Sequence, residues 1–449
     1  MKKTKTYEID MTGGSLFDKI LLFALPLMAS GILQLLFNAV DIAVVGRFTS
    51  SQALAAVGAT TSLINVYVNL FIGISLGTSV VAGRYFATGD EKGMSEAVHT
   101  AITTALAAGL LILLIGTTTS KFALLRMGTP AEILPQSLLY IRLYFCSMPF
   151  FMVYNYGAAI LRSVGDTRRP LVYLTISGLS NVVLNLVLVI LFHMGVAGVA
   201  IGTILAQMIS ASLVIRCLMR VEGAYRFIPA KMHINRKILT MMLRIGVPAG
   251  LQSMLINVSN VIIQSTVNTF GTTVIAGNTA ATNLNGFLYM AINAVTQAGM
   301  NFTSQNTAVR NFKRNDRIVM ECTILEILIG SGMGIGFYLA GHQLLGLYTT
   351  ERAVVNFGMV NLTYIGLPYA LCGIMDMLPG CVRGMGYSLA PMLIALTGVV
   401  LFRFFWVFIV FPLQPTMENL YLSYPISWIF SIVMHLICFF VVRKKVRTA

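Results

Sequence analysis

"FALPLMASGILQLLFNAVDIAVVGRF" (residues 23–48) and "IGVPAGLQSMLINVSNVIIQSTVNTF" (245–270) are the stretches whose reading decides the fold. Laid over one another without a gap, they align Pro26 with Pro248, Asn38 with Asn260 and Phe48 with Phe270. Further along, "LRSVGDTRRP" (161–170) matches "VRGMGYSLAP" (382–391) at almost the same offset, pairing Arg162 with Arg383, Gly165 with Gly386 and Pro170 with Pro391. Two sets of three landmarks at one spacing read as a duplication.

Each opening stretch is also apolar enough to cross a bilayer, which takes about 20 residues of helix for roughly 30 Å of hydrocarbon. The whole chain shares that character, with 57% hydrophobic and only 10% charged residues. Soluble domains are not built this way. Twelve such stretches recur, at 20–45, 53–77, 97–119, 136–158, 171–192, 197–216, 246–268, 275–300, 319–340, 357–379, 391–411 and 422–442. Short connectors between them leave no room for a soluble catalytic domain. The expected fold class is an all-α integral membrane protein with twelve transmembrane helices in two pseudo-symmetric six-helix lobes. Six is even, so both copies start on the same side and run parallel, the plan of many secondary transporters.

The net charge of +15 raises the question of nucleic acid, and the placement of the basic residues answers it. Of the 31 Lys and Arg, only Arg47, Lys121, Arg126 and Arg352 fall in odd-numbered connectors, and Arg142 and Arg403 fall within spans. The rest lie in even-numbered connectors and the tails, which places both termini in the cytoplasm. Dispersed over so many connectors, they form no nucleic-acid face. The expected organisation is a cytoplasmic tail (1–19), an N-lobe (20–217), a cytoplasmic linker (218–244), a C-lobe (245–442) and a cytoplasmic C-terminal tail (443–449).

Polar residues within the spans carry the functional signal. Gln34, Asn38 and Asp41 are spaced i, i+4, i+7 and share one helical face. Asn65 and Asn69, Asn181 and Asn185, and Asn257, Asn260 and Gln264 repeat the device, which reads as the lining of a wet cavity between lobes. Asp41, Glu326, Asp376 and Arg403 are the ionisable residues well inside spans, where a charge costs at least ~2.5 kcal/mol and defaults to a functional hypothesis. Pro26, on the same helix as Asp41, lacks an N–H and supplies a hinge. Five histidines and six cysteines show no metal-ligand or catalytic spacing, so neither a cofactor nor a metal is expected and an enzyme is disfavoured. No GxxxxGK[ST] loop is present, so an ion gradient rather than ATP must drive the machine.

With "LRSVGDTRRP", "SNVVLN", "GVAGVAIGTILAQ" and "VRGMGYSLAP" added to the opening stretch, the chain resembles the multidrug and toxic compound extrusion (MATE) family over its whole length. The resemblance implies a V-shaped pair of lobes in the bacterial inner (plasma) membrane. It also implies export of amphiphilic, often cationic, drug-like compounds in exchange for protons or sodium ions by alternating access. It maps a cation or proton site onto Asp41, Asn181, Asn185 and Thr203, and a C-lobe coupling or substrate acid onto Asp376, with Arg403 its candidate partner. The family usually has Asp at the position of Asn185, so the lost carboxylate weakens sodium binding more than protonation. Besides substrate the expected partner is membrane lipid, with function as a monomer. The rival reading is a flippase for a lipid or lipid-linked oligosaccharide, which should line its cavity with cations. A polytopic membrane enzyme would need a convergent acid or histidine cluster.

Overall fold

The computed structural model describes residues 7–448, apart from the side chains at positions 51, 62 and 66. The first six residues of the expected N-terminal tail, and residue 449, lie outside the described residues. The described residues form helices α1 (Leu16–Phe48), α2 (Ser51–Ala87), α3 (Glu91–Arg126), α4 (Leu134–Cys146), α5 (Met148–Ser163), α6 (Arg168–Leu186), α7 (Gly195–Arg220) and α8 (Arg236–Val267). There follow α9 (Thr272–Ala308), α10 (Phe312–Leu339), α11 (Gly341–Gly346), α12 (Arg352–Asn361), α13 (Tyr369–Gly384), α14 (Leu389–Ala395), α15 (Phe402–Phe405) and α16 (Met417–Thr448). Among the described residues there is no strand.

Among the described residues nine helical stretches are long and apolar enough to cross a membrane alone, and eleven if each of two bent pairs counts as one span. The pairs are α4 with α5 and the Arg352–Gly366 stretch with α13, each bent by 42°. Both breaks fall at a proline, Pro149 and Pro368, where a missing N–H interrupts the helical ladder. The twelfth long helix is α9, in the place of the expected span 275–300. Its 37 residues include Asn278, Asn285, Asn293, Gln297, Asn301, Gln305 and Asn306, which lower its apolar character. Buried amides in a membrane helix are expensive unless other helices satisfy them.

The chain forms two compact units. Among the described residues the first unit is 7–9 with Ile32–Gly250, and the second is Asp10–Gly31 with 251–448. Besides the Ile9–Asp10 step before α1, their boundaries lie inside α1 and α8, shortly after Pro26 and Pro248. Glycines account for these memberships. In the first unit a Cβ on Gly73 of α2 would stand 2.2 Å from the Gly250 Cα, and one on Gly77 would stand 2.1 Å from the Met242 carbonyl oxygen. The small residues let the first half of α8 lie directly against α2. In the second unit Gly31 of α1 admits the Met290 side chain of α9, and Phe23 meets Phe302 edge to face at 5.8 Å.

Connectors are tied down as well. The 221–235 segment buries Tyr225 and Phe227 and is pinned to α3, where the His99 Nε2 accepts from the Ile228 N–H at 3.1 Å and the Thr100 hydroxyl accepts from the Asn235 N–H at 3.1 Å. His233 meets Glu96 at 2.6 Å, and its hydrogen bond to the Lys231 carbonyl, then that to Glu96, push its ring above the ordinary histidine range. In the second unit, Arg314 of α10 donates to the carbonyls of Met11, Gly13 and Gly14, so the residues just before α1 are held against the α9–α10 turn.

Candidate functional site

In the first unit the Asp41 carboxylate is built into a three-residue cluster by the packing of α1, α6 and α7. Gly178 of α6 makes the approach to α1 possible, because a Cβ there would fall 2.0 Å from the Phe37 ring. Ser177 donates to the Ala206 carbonyl at 2.7 Å and fixes α6 to α7. Gly202 of α7 leaves the space that the Asn185 side chain fills, since its Cβ would lie 2.0 Å from Asn185 Oδ1. Asn181 and Asn185, one turn apart, therefore point at the same place on α1.

Asn185 Nδ2 donates to Asp41 Oδ1 at 2.6 Å. Asn181, with its amide nitrogen turned to the carboxylate, donates to Oδ1 at 2.8 Å and Oδ2 at 3.3 Å. Both amides are buried, whereas Asp41 is only partly so, and Asn185 Oδ1 has no hydrogen-bond partner. No Lys or Arg among the described residues forms an ion pair with Asp41. The helix carrying the amides loosens to a π turn at Val187–Leu191, directly after Asn185. Such turns recur at functional sites.

Thr203, mapped to the same site, is placed differently. Its hydroxyl donates to the Val199 carbonyl of its own helix at 3.0 Å. The donors at Asp41 are thus amide nitrogens, whereas a sodium ion asks for several oxygens. Among the described residues no group of three or more His, Cys, Asp or Glu could hold a metal.

Of the remaining stripe residues, Gln34, Asn38, Asn65 and Asn257 are exposed on their helices. Asn69 donates to the Asn65 carbonyl at 2.8 Å. Helix α1 runs unbroken through Pro26, whose carbonyl accepts from the Ser30 hydroxyl at 2.8 Å.

The second unit holds Arg403 on α15, between the π-helical stretches Leu396–Leu401 and Trp406–Val410. Arg403 Nη1 donates to Asn260 Oδ1 at 2.8 Å and to the Ser259 hydroxyl at 3.2 Å, and the guanidinium lies 4.1 Å from the centre of the Tyr424 ring. Asp376, on α13, is partly buried, and neither Arg383 nor Arg403 comes within the 4.0 Å of an ion pair with it. Arg383 is instead bonded to Gln252 at 2.6 Å.

Of the buried amide chain in this unit the sequence stripes picked out Gln264 but not Asn361. Asn285 donates to Asn361, Asn361 to Asn278 and Asn278 to Gln264, each at 2.9 Å, and the Tyr421 hydroxyl donates to Asn278 at 2.7 Å. Asn361 stands alone in an apolar run, so no stripe betrayed it.

A duplicated helical membrane protein of this kind belongs, as a class, with the membrane transporters. Two matches to the MatE family, at residues 26–187 and 248–409, make the particular family plain: the chain belongs to the MATE family. Similar curated proteins include "Probable multidrug resistance protein YoeA" of Bacillus subtilis, 26% identical over 392 residues, 86% of this chain and 85% of that one. Another is "Multidrug export protein MepA" of Staphylococcus aureus, 22% identical over 403 residues, 89% of this chain and 88% of its own. Among solved structures, "Outward-facing conformation of a multidrug resistance MATE family transporter of the MOP superfamily" superposes with a TM-score of 0.88 at 19% identity, covering 99% of each chain. At that identity the likeness speaks for the fold, and it bears out the expected all-α, multi-pass architecture.

Proposed function

We propose that this chain is a secondary multidrug efflux antiporter of the bacterial cell membrane, exporting amphiphilic cations in exchange for protons by alternating access. The drug-like substrate class is carried over from relatives named for multidrug resistance and export. The coupling ion is argued from one observation: Asp41 lies in a membrane helix facing two amide donors, with no cation paired to it.

A carboxyl sheltered from water resists ionisation. Ionised, Asp41 accepts from Asn181 and Asn185 and attracts a cationic substrate. When it takes a proton on one oxygen, that oxygen becomes a donor facing amide nitrogens that also donate, so the amides must turn. Turning Asn185 would present its unpartnered Oδ1 to the new O–H. The change at α6 would be passed to α1, where Pro26 offers a place for the helix to bend. Protonation thus weakens the hold on a cation and alters the α1–α6 contact together. Asp376, with Arg383 and Arg403 nearby but unpaired, is the substrate or coupling acid of the second unit in this reading. The lobe boundaries drawn from the duplication, the cytoplasmic termini and action as a monomer belong to the same proposal.

Proteoliposomes loaded with ethidium and given a pH gradient, without sodium, test it. Wild type should move the dye with counterflow of protons. Export that follows a sodium gradient and ignores pH would refute the proton reading. Transport of a lipid-linked sugar pyrophosphate with no movement of ethidium would favour the flippase.

A further inference from the structure

The carboxyl of Glu326 has no part in the reading above, yet it is the most isolated acid in the second unit. It sits on α10 with 0% exposure, and neither Oε1 nor Oε2 has a hydrogen-bond partner. The recess that holds it is cut by Gly373 of α13, where a Cβ would stand 2.1 Å from Oε2. Ile292 of α9 borders the same recess, 3.3 Å from that Cβ position. Asp376 of α13 is the charged group that acts on Glu326; the thiols of Cys322 on α10 and of Cys372 and Cys381 on α13 also lie within its electrostatic reach. Among the described residues no Lys or Arg forms an ion pair with it, and from α9 the titratable Tyr289 acts on Asp376 and Cys372.

An ionised carboxylate here would be desolvated without a single donor, which proteins avoid by keeping the group neutral. The neutral acid is itself poorly served, because its O–H and its carbonyl both lack partners, and a buried unmade hydrogen bond costs about 1–3 kcal/mol. A leucine would suit a closed recess better. The arrangement makes chemical sense when the recess also opens.

We propose that Glu326 is a second proton-binding site, in the C-terminal unit, which carries its proton while α10 is closed on α13 at Gly373 and releases it when those helices part. On opening, the O–H bond breaks, the proton passes to entering water, and the carboxylate keeps the electron pair and is solvated. Glu326 thereby ties the packing of α10 on α13 to its own charge. Because Asp376 is on α13, its negative charge draws a cation to the same helix surface that the deprotonated Glu326 would face.

The proposal rests on the proton-antiport reading for its part in transport, but the site is testable without transport. The full-length protein in lipid vesicles is treated with dicyclohexylcarbodiimide, an apolar reagent that modifies protonated carboxyls, and the adducts are located by peptide mass spectrometry. Glu326 should be modified at mildly acidic pH and severalfold less as pH rises. Gly373→Ala, which displaces the carboxyl from its recess, should raise the yield severalfold. Glu326→Gln should still fold and export ethidium, with the pH profile of export flattened relative to wild type; Glu326→Asp should restore part of it. An adduct indifferent to pH, or an unmodified Glu326 together with a wild-type pH profile in Glu326→Gln, overturns the proposal. If export proved to follow sodium while Glu326 still took the label in a pH-dependent way, the antiport reading would fail and this site would stand.

Discussion

The two units carry opposite charges in corresponding pairs of duplicated helices, but on different helices of the pair. Asn38 of α1 aligns with Asn260 of α8, and the paired MatE matches place Asn181 of α6 within one residue of Arg403. In the first unit the charge is Asp41 on the first helix, and α6 supplies amide nitrogens to it. In the second it is Arg403 on the partner span, and α8 supplies the Asn260 oxygen. An amide serves both because it carries a donor end and an acceptor end. The charge diverged between the copies: Ile263 stands where Asp41 would align, and Arg403 where Asn181 would. Guanidinium keeps its charge at any cellular pH. At this helix pair the first unit carries a titratable carboxyl and the second a fixed charge.

Removing the switch should have the largest effect. Asp41→Asn leaves a neutral residue of the same shape, so inserted protein is expected at wild-type levels, while ethidium export driven by a pH gradient falls by more than about tenfold, or ~1.4 kcal/mol of coupling. Normal export by this variant would dissolve the contrast between the units.

Asn185→Asp sharpens the contrast by adding the carboxylate that the family usually has. Two carboxylates at the 2.6 Å now separating Asn185 Nδ2 from Asp41 Oδ1 cannot both stay ionised unless a proton or a cation lies between them. Export should become sensitive to added sodium, by severalfold, where wild type is indifferent. A variant that still ignores sodium would show that oxygen count at this site does not select the ion.

Arg403→Met probes the fixed charge. Arg403 is buried and loses two hydrogen bonds and the Tyr424 contact in this variant, but it also sheds a desolvated charge that no carboxylate neutralises within ion-pair distance. Exchanging such charges for packed apolar groups is commonly neutral or stabilising. The melting temperature of purified protein should therefore hold or rise while ethidium export drops a fewfold. A marked loss of stability with intact export per folded molecule would make Arg403 a structural pin.

What was legible in the sequence was whatever lies along one helix. The Gln34–Asn38–Asp41 stripe and the Asn181–Asn185 turn are periodic, and the duplication showed that the spans come in two sets. What was hidden depends on neighbours across helices. Gly73 against Gly250 assigns half of α8 to the first unit, and nothing in either local pattern announces it. The bends at Pro149 and Pro368 could be suspected from proline alone, but not their 42°. Arg383 finds Gln252 rather than an acid, and the recess that Gly373 cuts for Glu326 is visible only once α10 and α13 are packed. The amide chain through Asn361 likewise needs four helices before it exists.

Thr203 gives the smallest expected effect and the finest test of how far the first unit's site extends. Resemblance alone placed it beside Asp41, whereas its hydroxyl donates to Val199, one turn back in α7. A threonine bonded in this way competes weakly with the helix ladder and adds little to stability. Alanine has the higher helical propensity, so Thr203→Ala should change stability by no more than about 0.5 kcal/mol. If Asp41 works with Asn181 and Asn185 alone, the variant exports ethidium within about twofold of wild type, ~0.4 kcal/mol or less, and its pH profile is unshifted. A shifted profile with unchanged stability would mean that the hydroxyl leaves Val199 and reaches Asp41 in another state of the cycle. The site would then have four members, and its oxygen count would rise toward what a sodium ion needs, which is the outcome that most directly weakens the proton reading.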